Sequence, residues 1–384
     1  MGEQDLIAVT APSAPQGPPV LPIQVTKAFL PPFAEYSAWL GKAYGTAVLT
    51  NNGPIHRDLE EALRHRFDVP YLRLMSNGTL AIQLAIRALG VKGKVITTPY
   101  SYVATTSAIL WEGCDPVFVD VDRDTCCIDP ALIEAAITPD TTAILATHVY
   151  GIPCDVEAID TIARKHGLKV IYDAAHAFDV TWKGRSILQW GDASTLSFHA
   201  TKLFHTVEGG AVVLHEHGSD DRLRLLRSFG HIGDEHYALG MNAKMSEVHA
   251  AMGMAILPHM PYILERRRAI VEAYDRSTHG MVARPRIPEG TGYNHAYYPV
   301  FLNDEQEREL VLKEMAARGI NCRRYFYPSL DTLPYVSGMS CPVSRSLSNR
   351  VLCLPLYPDL TDEQVLRIAD ALLSILQAYR GAGC

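Results

Sequence analysis

No apolar run in the 384-residue sequence approaches the length that crosses a bilayer, so no membrane contact is expected. The first residues carry Glu3 and Asp5 where a secretory signal has lysine or arginine, and no apolar core follows them. The expected setting is the cytoplasm. Basic charge is not in excess: 35 Lys and Arg stand against 42 Asp and Glu, a net charge of −7. General nucleic-acid binding needs the opposite balance. The nearest thing to a basic run, Arg266-Arg267-Arg268, reads as a solvated helix face. The eight cysteines form no C-x-x-C pair and no group with structural-zinc spacing, so reduced thiols and no metal centre are expected. Lysine is scarce, ten in all, which makes the place of each one informative.

What is present is enough apolar chain for a large core: 48% of residues are hydrophobic, over a length that suggests about two domains. Residues 1–25, with a Pro/Ala-rich stretch at 11–20, read as an extended lead-in. From about residue 70, strands alternate with helices. Strands are predicted at 69–75, 95–98, 116–122, 143–149 and 169–173, and helices at 80–89 (closed by Gly90), 103–111 and 156–166. Such alternation argues for right-handed βαβ units and a mostly parallel sheet covered on both faces. Two further strands, 193–198 and 210–214, are read as a hairpin with only a turn between them, on one side of the sheet.

Further along, Met245, Val248, Met252 and Ile256 share a helical face that Pro258 and Pro261 end. A helix near 263–274, a strand at 297–302, a helix at 304–318 and a last helix at 361–376 follow; Thr361-Asp-Glu-Gln364 opens the last as a capping box. The expected fold is α/β, with a large domain (26–255) around a mostly parallel central sheet and a small C-terminal α+β domain (256–384).

Ligands of open α/β sheets bind beyond the carboxyl ends of the strands. Those ends read Ser76-Asn-Gly-Thr79, Pro99-Tyr-Ser-Tyr102, His148, Asp173-Ala-Ala-His176 and Ser197-Phe-His-Ala-Thr-Lys202. Gly78 lets the backbone approach a ligand, and the helix start after it favours an anion; an ordinary N-cap fits the same residues. Asp173 emerges at the sheet rim, where it could hold a cationic ring nitrogen, cap a helix or bind a metal. The nearby acids Asp120 and Asp122 look like a strand terminus rather than partner ligands. Lys202 follows a strand and precedes the permissive Glu208-Gly-Gly210. In a partly dry pocket its amine would have a depressed pKa and could form a Schiff base with an aldehyde; a solvated surface lysine is the plain alternative. A phosphate cradle, an aromatic plate, a carboxylate and a lysine are together what a pyridoxal phosphate site requires.

On these segments the chain resembles the nucleotide-sugar aminotransferases of the DegT/StrS type, pyridoxal phosphate enzymes with the aspartate aminotransferase fold (fold type I). Leu49 to Pro54, Tyr102 to Thr105, His148 to Gly151, Leu239 to Asn242, Met245 to Glu247 and Leu354 to Pro358 fit as well, in register from about residue 30. The resemblance implies that Lys202 carries the cofactor and moves protons, that Asp173 pairs with the ring nitrogen, and that His176 lies near the ring hydroxyl. It places Tyr102 on one ring face and Ala175 near the other. Asn77, Gly78, Thr79 and Ser197 fall at the cofactor's phosphate end. Asn242 would reach the phosphate of a partner subunit's cofactor, making a homodimer obligatory. Tyr102 as plain core, and Asn242 as a helix N-cap, are the bland counterparts.

The family's dehydratase branch replaces the lysine with His, so Lys202 argues for amine transfer. The stretch Ser197 to Gly210 resembles the subgroup that aminates dTDP-4-keto-6-deoxyglucose at C4. That implies L-glutamate as donor, a pyridoxamine phosphate intermediate and dTDP-4-amino-4,6-dideoxyglucose (dTDP-viosamine) as product, a type of sugar used in O-antigens. Amination at C3, sugar dehydration and a non-catalytic regulator are the other readings. His199 and His205 belong to the subgroup's pattern without an evident role. Residues 227–236 and 323–327 are candidates to hold the hexose and nucleotide.

Overall fold

Two helices precede the first strand in the computed structural model, which describes residues 22–381 except residue 339. The lead-in up to residue 21 lies outside the described residues; Ile23 is already docked, in a parallel bridge to Ile320. Helix α1 spans Phe33–Thr46 and α2 spans Pro54–Phe67. In α2, Ile55, Leu59, Leu63 and Phe67 recur four apart and are all buried, the stripe of a helix lying on a core. Its start is tied down from far along the chain. The buried Glu247 carboxylate accepts from the Ile55 and His56 amides at 2.9 and 2.8 Å. A Cβ on Gly53 would stand 2.6 Å from that carboxyl carbon. Two segments of the family resemblance thus meet each other, as a helix cap.

Alternation then sets in: β1 (Tyr71–Met75), α3 (Gly78–Ala88), β2 (Lys94–Thr97), α4 (Ala104–Trp111), β3 (Asp115–Phe118), α5 (Pro130–Ala136), β4 (Thr141–Thr147), α6 (Val156–His166) and β5 (Lys169–Asp173). After the short β6 (Thr181–Trp182) and β7 (Arg185–Ser186) come β8 (Ala193–Ser197), β9 (Gly210–Leu214) and α7 (His217–Leu226). The central sheet has seven strands in the order β1-β9-β8-β5-β4-β2-β3. Only β9 runs against its neighbours. Alternate residues of one strand enter different clusters: Ile144 and Ala146 of β4 join one, Ala143 and Leu145 the other. Both faces are therefore covered, as parallel strands require. β8 and β9 do pair antiparallel, but a long connection, 198–209, joins them, and β1 forms the edge outside β9. The strand expected to reach residue 122 ends at Phe118. Asp120 is diverted to accept from the Val343 and Ser344 amides, both at 2.8 Å.

The hairpin β10 (His231–Ile232) and β11 (Glu235–His236) leads to α8 (Glu247–Ile256) and α9 (Met260–Thr278). Met245 lies ahead of α8, whose N-cap is Ser246, and Val248 is exposed; the buried face runs through Ala250, Ala251, Met252, Ala255 and Ile256. β12 (Thr291–Gly292) joins β6 and β7 in a small sheet. β13 (Pro299–Phe301), α10 (Glu305–Ala317), α11 (Pro342–Arg350), β14 (Val351–Cys353) and α12 (Asp362–Gly381) complete the chain. The expected capping box is formed: the Thr361 amide donates to Gln364 Oε1 at 3.1 Å, and the Gln364 amide to Thr361 Oγ1 at 3.2 Å. A C-terminal cluster gathers Val300, Val311, Leu352 and Leu372. Helix α9 serves both cores, with Met260 and Ile263 in the large one and Ile270 and Tyr274 in the C-terminal one. Among the described residues, no helix is long and apolar enough to cross a membrane. The seven described cysteines are buried, and none is in a disulfide.

Candidate active site

A cavity of about 330 Å³ opens at the carboxyl ends of the sheet strands. Asn77, Gly78, Thr79, Tyr102, Asp173, Ala175, His176, Ser197 and Lys202 all line it; of the residues expected at the cofactor, Asn242 alone does not. Lys202 lies in the connection after β8, and its Nζ donates to the Tyr297 hydroxyl at 3.3 Å. Burial lowers its pKa from 10.5 to about 8, against the opposing pull of Asp173. Burial pushes the Asp173 carboxyl up, while Thr105 Oγ1 at 2.7 Å and the Ala175 amide at 3.1 Å favour its charged form. His176 is buried and held neutral, first by burial and then by Lys202 and His148. Its Nδ1 accepts from the Tyr150 amide at 3.2 Å, which leaves the proton on Nε2.

At the other end of the cavity, a Cβ on Gly78 would stand 2.8 Å from Ser197 Cβ, so only glycine lets α3 and β8 converge there. The Asn77 side chain is an N-cap, accepting from the Leu80 amide at 2.8 Å. The amides of Gly78 and Thr79 have no intrahelical acceptor and stand beside the Ser197 hydroxyl for an anion. Tyr102 is 59% exposed and therefore not core. Asn242 is exposed, its Oδ1 accepting from Lys244 Nζ at 2.9 Å, and it caps no helix.

His205 now has a place. It is buried, its Nε2 donating to the Phe29 carbonyl at 2.8 Å and its Nδ1 accepting from the Val207 amide at 3.2 Å, so it ties the Lys202 connection to the chain before α1. His199 lines the cavity, its Nδ1 accepting from the Thr201 amide at 3.2 Å and its Nε2 standing 3.6 Å from Glu208. Arg227, expected among the residues that hold the sugar, turns inward instead. It is buried, donating to the Leu74 carbonyl at 2.9 Å and to Glu60 at 3.2 Å. Residues 323–327 do face a groove of about 520 Å³ that shares Tyr102, Tyr325 and Phe326 with the cavity.

Thr105 and Tyr297 are site residues that sequence reasoning assigned no role, while Tyr325 and Phe326 fall in the segment 323–327 expected to hold the hexose and nucleotide. The last three come from chain beyond α9, where the one available signal is aromatic density, Tyr293-Asn-His-Ala-Tyr-Tyr298.

These residues fit pyridoxal phosphate. A buried carboxylate whose present partners are a hydroxyl and an amide can take a ring N–H, the close approach at Gly78 leaves amides for a phosphate, and a depressed amine lines the same cavity.

The DegT/DnrJ/EryC1/StrS aminotransferase family model matches residues 36–373. The dTDP-4-amino-4,6-dideoxy-D-glucose transaminase of Shigella dysenteriae is 42% identical over 92% of this chain and 99% of its own. The Escherichia coli protein of the same name is 40% identical over 91% and 98%. Among solved structures, DesI, determined in the presence of its TDP-sugar product, superposes with a TM-score of 0.89 at 33% identity, covering 94% of this chain and 95% of that one. The chain thus belongs to the DegT/DnrJ/EryC1/StrS aminotransferase family and is a pyridoxal phosphate-dependent aminotransferase of sugar nucleotides.

Proposed function

We propose that the enzyme moves the amino group of L-glutamate to the C4 ketone of dTDP-4-keto-6-deoxyglucose, giving dTDP-4-amino-4,6-dideoxyglucose. The observation that carries this reading is the 42% and 40% identity, over nearly whole chains, to two transaminases named for that sugar. The match falls to 34% for a UDP-N-acetyl-3-dehydro-glucosamine 3-aminotransferase and to 32% for a GDP-perosamine synthase.

Pyridoxal phosphate, when bound, supplies an aldehyde and a ring that delocalises charge as the amino carbon loses its proton. The chain's own groups divide the remaining work. Lys202 Nζ, partly neutral near pH 8, is the nucleophile and the base that moves the proton at the amino carbon. Asp173, its carboxylate fixed by Thr105 and the Ala175 amide, would hold the ring N–H and keep the ring cationic. His176 offers its Nε2 proton toward the ring hydroxyl. Tyr102 and Ala175 line the cavity where they would flank the ring, and the Gly78 and Thr79 amides with Ser197 would hold the phosphate. The groove at Arg323–Tyr327, opening from the cavity, takes the nucleotide.

A homodimer is part of this reading. Asn242 follows the β10–β11 hairpin, whose surroundings expose Phe229, Ile232, Tyr237 and Leu239, an apolar surface suited to a second copy. From there Asn242 would reach the phosphate of the partner's cofactor. A cytoplasmic setting accords with buried cysteines that form no disulfide among the described residues.

The test is to incubate the loaded enzyme with L-glutamate and the 4-keto sugar nucleotide and to locate the new amine by NMR. Nitrogen at C4 is expected; nitrogen at C3, or turnover only with another nucleotide, would replace this assignment.

A further inference from the structure

Arg267, read from sequence as part of a solvated face, is 4% exposed. Its guanidinium has no acidic partner among the described residues. It donates instead to three main-chain carbonyls: His295 at 3.1 Å, Ala296 at 2.8 Å and Leu356 at 3.0 Å. Burying a cation without a counter-charge is costly, and such a group persists where its hydrogen bonds hold something in place. What these bonds hold is the segment leading into Tyr297.

The same segment grips the cavity wall at each step. Tyr293 donates to the Tyr150 carbonyl at 3.0 Å, and Asn294 Nδ2 donates to the His176 and Phe178 carbonyls, both at 2.8 Å. The Tyr297 ring is enclosed by His176 at 5.0 Å, Tyr325 at 5.6 Å and Tyr150 at 5.7 Å. Its hydroxyl accepts from Lys202 Nζ.

We propose that Tyr297 is the positioning residue that keeps the Lys202 amine turned into the cavity, and that Arg267 acts through it by clamping the chain just ahead of the ring. This rests on Lys202 being the reactive amine of the reading above. It is independent of which sugar is aminated. The titratable groups facing Lys202 are Asp173, Tyr102, His176 and Tyr297, and Arg267 faces Tyr297 from α9.

The experiment is competitive acetylation of the full-length protein stripped of cofactor. Trace acetic anhydride is applied across a pH series, and the Lys202 peptide is quantified by mass spectrometry. The phenol oxygen accepts from the ammonium form more strongly than from the neutral amine. Tyr297→Phe should therefore lower the Lys202 midpoint by about half to one pH unit. Its kcat should fall about tenfold with little change in KM for L-glutamate. Arg267→Lys keeps the charge but loses the fork; it should shift the midpoint in the same direction and add nothing in the Tyr297→Phe background. An unmoved midpoint in Tyr297→Phe overturns the proposal, as does an Arg267→Lys shift equally large with and without the hydroxyl. Should Arg267→Lys not fold, Tyr297→Phe alone decides. No sugar nucleotide enters the labelling, so a wrong substrate assignment leaves its result standing.

Discussion

The cavity has two walls of different origin. One is made by the ends of β5 and β8 and the start of α3, which present Asp173, His176, Ser197, Lys202, Gly78 and Thr79. The other comes from chain beyond α9 and presents Tyr297, Tyr325 and Phe326. The first wall carries the groups that can exchange protons or hold charge near neutrality. The second carries phenols and a phenyl ring, with burial pushing both tyrosines up and the Tyr325 hydroxyl to about 12. The division suggests that chemistry sits on the rigid sheet, while the second wall encloses and aims it.

The comparison can be broken hardest at Lys202. Lys202→Ala should cost roughly 10²–10⁴-fold or more in amine transfer, in both half-reactions; full activity in either half would put the chemistry elsewhere. Asp173→Asn should follow at about 10²-fold, with cofactor still bound, checked by steady-state rates and cofactor content together. On the second wall the effects should be on stability and aim. Asn294→Ala removes three hydrogen bonds, two of them to the His176 and Phe178 carbonyls, and should lower unfolding free energy by about 1–3 kcal/mol in urea titrations. A catalytic loss as large as that of Asp173→Asn without loss of stability would erase the distinction between the walls.

A further effect, of similar size, concerns what reactivity does to the fold. Burial holds the Lys202 amine near 8 in the folded chain against an ordinary 10.5. Between those values the unfolded chain binds more protons, so stability rises with pH from about 8 to 10.5, and the cost is full below 8. Lys202→Met in the cofactor-free protein should therefore be more stable at pH 7 by up to about 3 kcal/mol, an advantage that shrinks toward pH 10.5. Denaturant curves at the two pH values would read it directly.

The same contrast governs what could be read from the residues. Strand-end groups sit in contiguous segments with local signals: an apolar strand, then Asp173; a strand, then Lys202 with Gly209 and Gly210 after it. Gly78 was legible because a close approach needs glycine. Tyr297 lies 95 residues from the lysine it touches, and only the packing of α9 and β13 brings it there. Arg267 shows why pattern alone misleads. Three consecutive helical residues span about 200°, so Arg266 and Arg268 can face Asp362 and Glu272 while the residue between them turns inward. Helices α1 and α2 lie ahead of the strand–helix alternation, although α2 repeats its apolar residues every fourth position. The segments around it, Leu49 to Pro54 and Met245 to Glu247, carry a cap whose two halves are almost two hundred residues apart in the chain.

The most direct test of the central claim, that Lys202 and the strand-end wall perform amine transfer, is the absorbance spectrum of the cofactor-loaded protein before and after L-glutamate. The aldehyde-form band should collapse to that of the amine form and return when the keto sugar nucleotide is added, and Lys202→Ala should show neither change. A wild-type band indifferent to L-glutamate and other amino donors, or a Lys202→Ala protein that responds like the wild type, would contradict it.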